Sequence, residues 1–264
     1  MNHAIHFSGG RSSGYMLHLL LDNIDNSISD DGDIAVIFCN TGKEFEPTLT
    51  FVQDVAEYWS IPIKWLEYDG KNKYKKVTYN TASRNGEPFD KLIEDKKGLP
   101  GNKLRFCTQE LKVNTAKRYI ENELGWDKYI NYLGVRYDEK RRWLKILKEE
   151  CNSRMPLVTN RVTKDEVLEF WNRQNFNLEM NSIYSNCDLC YLKGKKLKTK
   201  TLQQFPDSAI WWANKELEVS LLRGRMVTFN NKHSYLDIIA DSHKYAGDFE
   251  NFDEYEFVDC YCGD

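Results

Sequence analysis

Short apolar runs alternate with amphipathic helical segments along the first 70 residues of the chain. The pattern predicts strands at residues 3–7, 34–39 and 61–66, with a helix from about Ser13 and another through residues 48–58. Strands that are separated by helices in this way are typical of a parallel sheet covered on both faces. The chain is therefore predicted to have an α/β fold built on a doubly wound, mostly parallel sheet.

The pattern changes after the third predicted strand. Residues 69–101 are polar and rich in lysine, which predicts a long excursion over the sheet edge or a mobile lid. Helical periodicity returns at residues 108–124 and ends at Gly125, and residues 129–133 form another predicted strand. A capping-box pattern that begins at Thr163 predicts a further helix start.

The C-terminal part of the chain has a different character, rich in Cys, Trp and Lys. We place a domain boundary near residue 180, with a main domain over residues 1–180 and a small subdomain over residues 181–264. One helix is predicted at residues 207–222, followed by a short acidic and aromatic tail. Trp211 and Trp212 occupy helical positions, so we expect them to pack in the core of this subdomain.

The composition is that of a globular protein with a substantial core, because 41% of its 264 residues are hydrophobic. The 37 Lys and Arg residues nearly balance the 40 Asp and Glu residues, and the net charge of −3 gives no global attraction to nucleic acid or to an anionic membrane. No stretch approaches the roughly 18 uninterrupted apolar residues of a membrane span, and the N-terminus lacks a secretory pattern. We expect a cytoplasmic protein with no membrane partner.

Cysteine usage points to metal or redox chemistry. An odd count of seven cysteines argues against a disulfide framework. The spacing CDLC lets Cys187 and Cys190 reach one metal or cluster from a tight turn, and by itself fits either a zinc knuckle or a redox dithiol. We interpret Cys39 and Cys151 as ordinary buried cysteines.

The segment SGGRSS at residues 8–13 lies between the first strand and the first helix. Such a loop offers backbone N–H groups, hydroxyl groups and the positive end of the helix dipole to an anion, and a phosphate group is the expected ligand. A plain glycine-rich turn is the alternative. The Walker and dinucleotide-binding patterns are both absent, which favours chemistry near the α-phosphate over γ-phosphate or hydride transfer.

Two more polar clusters follow predicted strands directly. NTG at residues 40–42 follows the second strand, where open α/β sheets bind ligands, although an ordinary turn is the alternative. Arg136, Arg141 and Arg142 follow the strand at 129–133 and offer bidentate clamps for phosphate or sulfate, with a solvated charged surface as the alternative.

A lysine-rich run, KGKKLKTK at residues 193–200, directly follows the CxxC pair. It would surround a cluster or a polyanion with positive charge and steer tRNA, DNA or a small phosphorylated substrate. An exposed lysine-rich helix start is the alternative.

Several of these segments together resemble one protein family. The chain is similar to the PP-loop ATP pyrophosphatases of the adenine nucleotide α-hydrolase superfamily, and within them to the phosphoadenosine-phosphosulfate reductase-like proteins, including phage members and the sulfurtransferases of DNA phosphorothioation. The resemblance implies the Rossmann-like fold of that superfamily. The matching segments are FSGGRSS (7–13), FCNTGKEFEPTLTFV (38–52), RFCTQELKV (105–113), GVRYDEKRR (134–142), MPL (155–157) and NCDLCYLKG (186–194).

The resemblance also implies how a nucleotide binds. It implies ATP or a related adenine nucleotide, with Mg²⁺, whose phosphates lie over the glycine-rich loop. The nucleotide-binding residues by this resemblance are Ser8, Gly9, Gly10, Ser12, Ser13, Asn40, Thr41, Glu44 and Arg136, with Ser8, Arg136 and Arg142 as catalytic residues.

The segment around Cys107 resembles the one that supplies cluster cysteines in the reductase branch, where a Cys-Cys pair and a later CxxC hold a [4Fe–4S] cluster. Phe106 replaces the first cysteine of that pair. The fourth ligand would therefore come from Cys260 or Cys262, or one iron stays open, as in some tRNA-thiolating relatives. The resemblance thus implies a [4Fe–4S] cluster, with zinc as the alternative, on Cys107, Cys187 and Cys190.

We interpret the sequence as that of an enzyme that adenylates an acceptor with ATP, releases pyrophosphate and delivers sulfur with the help of an iron–sulfur centre. Its partners would be a sulfur donor and an acceptor such as tRNA or DNA. One alternative is a phosphoadenylyl-sulfate or adenylyl-sulfate reductase that uses a thiol reductant. The tail DCYCGD, where that branch has ECGxH, disfavours this mechanism. A non-catalytic adenine-nucleotide-binding module is the other alternative.

Overall fold

The computed structural model describes residues 1–22, 32–102, 104–149, 152–181, 184 and 187–242. Within these residues one six-stranded sheet is formed, and its strands are β1 (Asn2–His6), β2 (Ile34–Asn40), β3 (Ile63–Tyr68), β4 (Tyr74–Val77), β5 (Tyr129–Leu133) and β6 (Ser153–Arg154). The strand order is β4-β3-β2-β1-β5-β6, and every neighbouring pair is parallel except β3 and β4. The predicted α/β fold with a mostly parallel sheet is confirmed.

The helices lie on both faces of this sheet and in the C-terminal part. They are α1 (Arg11–Asp22), α2 (Glu46–Tyr58), α3 (Glu87–Lys96), a π-helix (Thr108–Asn114), α4 (Thr115–Asn122), α5 (Lys140–Lys148), α6 (Pro156–Thr159), α7 (Lys164–Asn172), α8 (Lys195–Gln204), α9 (Ser208–Arg223) and α10 (Tyr235–Ser242). None of the helices in the described part of the chain has the length and apolarity needed to span a membrane.

Local sequence signals account for several element ends. The capping box at Thr163 is formed with Glu166, and α7 begins at the next residue. Gly125 follows α4 with a φ of 68°, a conformation that glycine adopts without steric cost. The predicted strand at residues 129–133 coincides with β5.

Residues 69–101 differ from the expectation of an irregular excursion. They contain β4, an antiparallel edge strand whose lysines face solvent, and α3, which buries Phe89, Leu92 and Ile93. Lysine-rich sequence suits an exposed edge strand because charge discourages further strand pairing. The polar composition of this segment therefore did not indicate the strand and the helix that it forms.

Separate hydrophobic cores lie on the two sides of the sheet. One packs β1 and β2 against α1, α2 and α7, and a smaller one packs the opposite face against α4. A further cluster joins α3 and the π-helix to the C-terminal helices and includes the buried Trp212, with Trp211 packed against it, as expected. The domain boundary near residue 180 stays a prediction.

The strand order reverses direction between β1 and β5. In open α/β sheets, ligands bind in the crevice beyond the carboxyl ends of the strands at such a switch point. The loops that follow β1 and β5 are therefore where the fold places a site.

Candidate functional site

The loop at residues 8–13, the Ser-Gly loop, joins β1 to α1 at the switch point. Ser8 Oγ lies 2.9 Å from Ser13 Oγ, and Ser13 Oγ donates a hydrogen bond to the Gly10 carbonyl at 2.9 Å. Gly9 has a φ of 81°, and a Cβ there would lie 2.8 Å from Thr48 Cγ2. The loop is thus closed on itself at the N-terminus of α1, where the helix dipole favours an anion.

The loop after β5 meets the Ser-Gly loop closely. A Cβ at Gly134 would lie 2.6 Å from Ser13 Cα, so only glycine permits this approach. Arg136 Nη1 donates a hydrogen bond to Ser12 Oγ at 3.0 Å, and its Nε donates to Asp138 Oδ1 at 3.1 Å. The structure therefore brings the predicted arginine clamp against the predicted phosphate loop.

Glu139 orients both arginines of the clamp. Its carboxylate accepts hydrogen bonds from the Arg136 backbone N–H and from Arg142 Nη1, each at 2.8 Å. Arg142 is buried, whereas Arg141 is exposed. Arg142 is accordingly the second arginine that points into the site.

A groove of about 610 Å³ runs along the sheet face from the Ser-Gly loop. Its volume is in the range of small-molecule sites, roughly 300–1,000 Å³. Its floor includes His6 and Asn131, whose Nε2 and Oδ1 atoms lie 2.7 Å apart, and burial lowers the pKa of His6. Lys112 and Arg142 contribute cationic walls. Sequence reasoning missed His6 and Asn131, although polar residues on central strands are an informative signal.

The side chains of the NTG loop, residues 40–44, are engaged within the protein. Asn40 Nδ2 donates to Glu67 Oε1 at 2.6 Å and to the Ser83 carbonyl at 2.8 Å. The Glu44 carboxylate accepts hydrogen bonds from the backbone N–H and the hydroxyl of Thr41, each at 2.9 Å. These bonds fix the shape of the loop at the end of β2. The predicted nucleotide contacts of Asn40, Thr41 and Glu44 stay predictions.

The three cysteines predicted to act together line one small cavity, the cysteine pocket. Cys107 Sγ lies 3.3 Å from the Tyr191 hydroxyl, and Cys187 Sγ lies 3.6 Å from Thr41 Oγ1. Cys190 is the third thiol at this cavity. Segments far apart in sequence thus converge beside the NTG loop.

The pocket fits a metal centre in donor type but not in size. Three thiols are the soft ligands of zinc and iron–sulfur sites. The cavity between them has a volume of about 20 Å³, which is room for about one water and much less than a four-iron cluster occupies. Among the described residues no group of three or more His, Cys, Asp or Glu side chains is arranged to hold a metal ion. Cys260 and Cys262 lie outside the described residues.

Cys39 lies in the groove and not in the cysteine pocket. Its thiol donates to the Lys112 carbonyl at 3.5 Å, and burial raises its pKa to about 12. A thiol of that kind is unreactive at neutral pH. Cys151 lies outside the described residues.

The groove and the cysteine pocket share a wall. Thr108 and Lys112 of the π-helix line both cavities, and Lys112 Nζ lies 3.7 Å from Glu44 Oε1. Single π-helical turns occur frequently at functional sites. Sequence reasoning predicted an ordinary helix here and missed Lys112, because helical periodicity does not reveal a π-helix.

The lysine-rich run does not form a continuous cationic surface. Lys193 is buried, and its Nζ donates to the carbonyl groups of Tyr184, Cys187 and Asp188 at 3.0–3.2 Å. Lys198 is also buried, and burial lowers its pKa to about 8. The run does start a helix, as the alternative interpretation held, but two of its lysines serve the interior of the CxxC region.

Comparisons with known proteins identify the family of the chain. The family model described as "Phosphoadenosine phosphosulfate reductase domain" matches residues 2–186. An uncharacterized nin region protein of Escherichia phage lambda, ORF290, is 28% identical over 202 residues, which cover 73% of this chain and 67% of that protein. Two uncharacterized proteins of Methanocaldococcus jannaschii are each 30% identical, over 49% and 46% of this chain but only 22% and 23% of their own lengths. The chain therefore belongs to the phosphoadenosine phosphosulfate reductase domain family.

Proposed function

We propose that this protein is an enzyme that binds ATP or a related adenine nucleotide, with Mg²⁺, in the groove and acts at its α-phosphate. One observation carries the proposal: the groove that begins at the Ser-Gly loop shares the wall of Thr108 and Lys112 with a pocket of three cysteines. A nucleotide site beside a thiol site is the arrangement that sulfur chemistry on an adenylylated substrate requires. The phosphates would lie over the Ser-Gly loop, between Ser8, Arg136 and Arg142.

The proposed first step is adenylation. An acceptor oxygen attacks the α-phosphorus, the bond from the α-phosphorus to the bridging oxygen breaks, and pyrophosphate leaves. The N–H groups at the start of α1 and the hydroxyls of Ser8 and Ser12 would hold the departing pyrophosphate. Arg136 and Arg142, which Glu139 orients, would neutralise charge that develops on the phosphoryl oxygens.

The proposed second step is sulfur delivery. Adenylation makes AMP a leaving group, so sulfide from a sulfur donor can attack the activated atom of the acceptor. A bond from sulfur to that atom forms, the bond from that atom to the adenylylated oxygen breaks, and AMP leaves with that oxygen. The cysteine pocket shares the wall of Thr108 and Lys112 with the groove, which supports delivery of the sulfur from that side. We propose a nucleic acid such as tRNA or DNA as the acceptor, for which Lys195 and Lys196 are the exposed cations of the lysine-rich run.

A metal centre is a separate part of the proposal. Cys107, Cys187 and Cys190 would hold a [4Fe–4S] cluster, with Cys260 or Cys262 as fourth ligand, or zinc as the alternative occupant. The cavity would have to widen to admit the cluster, and the steps above do not depend on it.

The reductase of a sulfonucleotide is the second candidate function. It is favoured by the family description, which names phosphoadenosine phosphosulfate, and by thiols beside the groove. In that reaction a thiol attacks the sulfur of the sulfonucleotide, the adenine nucleotide leaves, and a second thiol releases sulfite with formation of a disulfide.

Product analysis tests the proposal. The protein, prepared without oxygen, is incubated with Mg²⁺ and ATP together with bulk tRNA or duplex DNA, and in parallel with phosphoadenylyl sulfate and dithiothreitol. ATP-dependent pyrophosphate release that Arg136→Ala abolishes and Lys140→Ala preserves would support adenylation. Sulfite release without pyrophosphate release would overturn it in favour of the reductase. Tight nucleotide binding with neither product would overturn it in favour of a binding module.

A further inference from the structure

A buried ion pair joins the NTG loop to the CxxC turn, residues 187–190. Lys43 Nζ lies 2.9 Å from Asp188 Oδ2, and the two side chains are only 8% and 10% exposed. Lys43 follows the last residue of β2 by three positions, and Asp188 lies between the two cysteines of the turn. Two charged side chains that the family resemblance did not single out therefore meet between the two candidate sites.

Backbone and side-chain contacts reinforce this junction. The Asp188 N–H donates to the Lys43 carbonyl at 2.7 Å, and Glu44 pairs with Cys187 in an antiparallel bridge. Thr41 Oγ1 lies 3.6 Å from Cys187 Sγ. The NTG loop and the CxxC turn are therefore joined by backbone as well as side-chain contacts.

Neighbouring groups hold both side chains of the ion pair in place. The second carboxylate oxygen of Asp188 accepts hydrogen bonds from Trp212 Nε1 at 2.8 Å and from the Leu189 N–H at 2.7 Å. The Lys43 ammonium lies 5.0 Å from the centre of the Trp211 ring, within cation–π range. Buried ion pairs contribute little net stability compared with apolar pairs of similar volume, so fixing one arrangement is the use that best explains this one.

The NTG loop has little freedom to move independently of the turn. Gly42 has a φ of 76°, and a Cβ there would lie 3.0 Å from the Gly86 backbone. The Glu44 carboxylate holds Thr41 from within the loop. Because Lys43 binds both the backbone N–H and the carboxylate of Asp188, we expect a ligand that shifts the loop to shift the CxxC turn as well.

We propose that Lys43 and Asp188 are a positioning pair that couples the NTG loop to the CxxC turn, so that a nucleotide bound at the loop changes the reactivity of Cys187 and Cys190. The inference rests on the proposed function and on the prediction that Asn40, Thr41 and Glu44 of the NTG loop contact the nucleotide. Neither residue touches the reacting atoms; both act through the loop and the turn that they join.

Alkylation in the presence and absence of nucleotide tests the coupling. The full chain, reduced and kept without oxygen, is treated with iodoacetamide with and without Mg²⁺ and α,β-methylene-ATP, which cannot be cleaved at the α,β bond. Mass spectrometry follows Cys187 and Cys190 in the tryptic peptide 174–193, Cys107 in the peptide 106–112, and Cys39 as an unreactive reference. We expect nucleotide to change the alkylation rate of Cys187 or Cys190 at least about fivefold in the unaltered protein.

Variants separate positioning from structural support. Asp188→Asn keeps an oxygen that accepts from Trp212 and Leu189 but removes the charge opposite Lys43; we expect nucleotide affinity within about twofold and no nucleotide effect on alkylation. Lys43→Met leaves Asp188 without its cation and lowers the melting temperature. The double variant Lys43→Met/Asp188→Asn should recover melting temperature without recovering the nucleotide effect.

Lys215→Met, which removes a cation from the separate Asp90 pair at 3.1 Å, is the matched control and should keep the effect.

The outcomes distinguish the two proposals. Absence of nucleotide binding to the unaltered protein by calorimetry would overturn the proposed function and this coupling together. Binding without any change in alkylation, or a change that persists in both Asp188→Asn and the double variant, would overturn the coupling alone.

Discussion

Contacts that span three to five residues close the Ser-Gly loop, whereas the cysteine pocket depends on contacts between residues 84 and 146 positions apart. The loop has its anion-binding character from a helix N-terminus and two glycines, all within one short segment. The pocket acquires its character only when the π-helix, the NTG loop and the CxxC turn have packed together. Local sequence therefore reveals the first region, and only the tertiary fold reveals the second.

The two regions also differ in how charge is used. At the Ser-Gly loop, Arg136 donates a hydrogen bond to the Ser12 hydroxyl and forms an ion pair with Asp138. Near the cysteine pocket, Lys193 and Lys198 are buried and donate to backbone carbonyl groups. The cation at the loop thus contacts side chains of the predicted site, whereas those at the pocket bind the backbone.

The largest effect that we predict is at the cysteine pocket. If its three thiols hold one metal centre, Cys107→Ser, Cys187→Ser and Cys190→Ser should each remove most of the bound iron, because a ligand set of two thiolates is insufficient. Protein prepared without oxygen is assayed for iron, acid-labile sulfide and visible absorption. Cys39→Ser is the control, since Cys39 lies in the groove and its pKa is raised to about 12. Equal iron content in all four variants would show that the three thiols of the pocket do not bind the iron.

The second prediction concerns the Ser-Gly loop. Gly10→Val should lower nucleotide affinity by at least about 100-fold, because a branched side chain prevents the close approach of phosphate to the backbone at the helix start. The φ of Gly10 is not positive, so the fold should persist in Gly10→Val. Gly9 has a positive φ and lies against Thr48, so Gly9→Val should destabilise the protein. Calorimetric titration with ATP and thermal melting measure the two effects separately. If Gly10→Val leaves the affinity for ATP unchanged, the Ser-Gly loop does not bind the nucleotide, and the contrast between the two regions fails.

The third prediction sharpens the comparison within the arginine clamp. Arg136→Ala should weaken nucleotide binding by roughly 10- to 100-fold, because the guanidinium at Ser12 can make a two-pronged contact with phosphate. Lys140→Ala should change affinity less than about twofold, since Lys140 is exposed. Similar small losses in both variants, measured by the same titration, would show that the clamp does not hold the nucleotide.

Much of the fold could be predicted because its signals are local. Parallel strands buried on both faces give continuous apolar runs such as IAVIFC in β2, and caps such as Thr163 mark helix starts. The short edge strand β4 could not, because its lysines and tyrosine resemble a loop in composition. An edge strand is defined by the neighbour it pairs with, and that neighbour is not encoded within four residues.

For the candidate site, the sequence indicates which of several residues lie near one another, and their functional roles stay predictions. Ser8, Ser12, Ser13, Arg136 and Arg142 lie together where the sequence placed them. The roles of Glu67, Lys112 and Asp188 could not be predicted, because each acts through a partner distant in sequence. Buried polar networks are the part of a site that a linear pattern does not contain.

The smallest effect that we predict lies on the π-helix between the two regions. Glu110 accepts hydrogen bonds from Lys96 at 2.8 Å, Arg118 at 3.0 Å and Asn114 at 3.1 Å. Burial raises the pKa of Glu110, but these bonds outweigh it and lower the pKa to about 2. The pKa in the folded state is thus below the ordinary value of 4.5. The stabilisation is therefore fully present above pH 4.5 and is lost as the pH falls toward 2.

Glu110→Gln should accordingly lower the free energy of unfolding by about 1 kcal/mol at pH 7, a modest value because solvent screens a partly exposed carboxylate. The difference from the unaltered protein should shrink as the pH falls from 4.5 toward 2, because the native carboxyl then becomes neutral as well. Urea unfolding at pH 7 and at pH 3 measures this change, with Glu121→Gln as control for an exposed glutamate paired with Lys117 at 3.6 Å. A difference that stays constant with pH would show that Glu110 holds the shared wall through shape and not through charge.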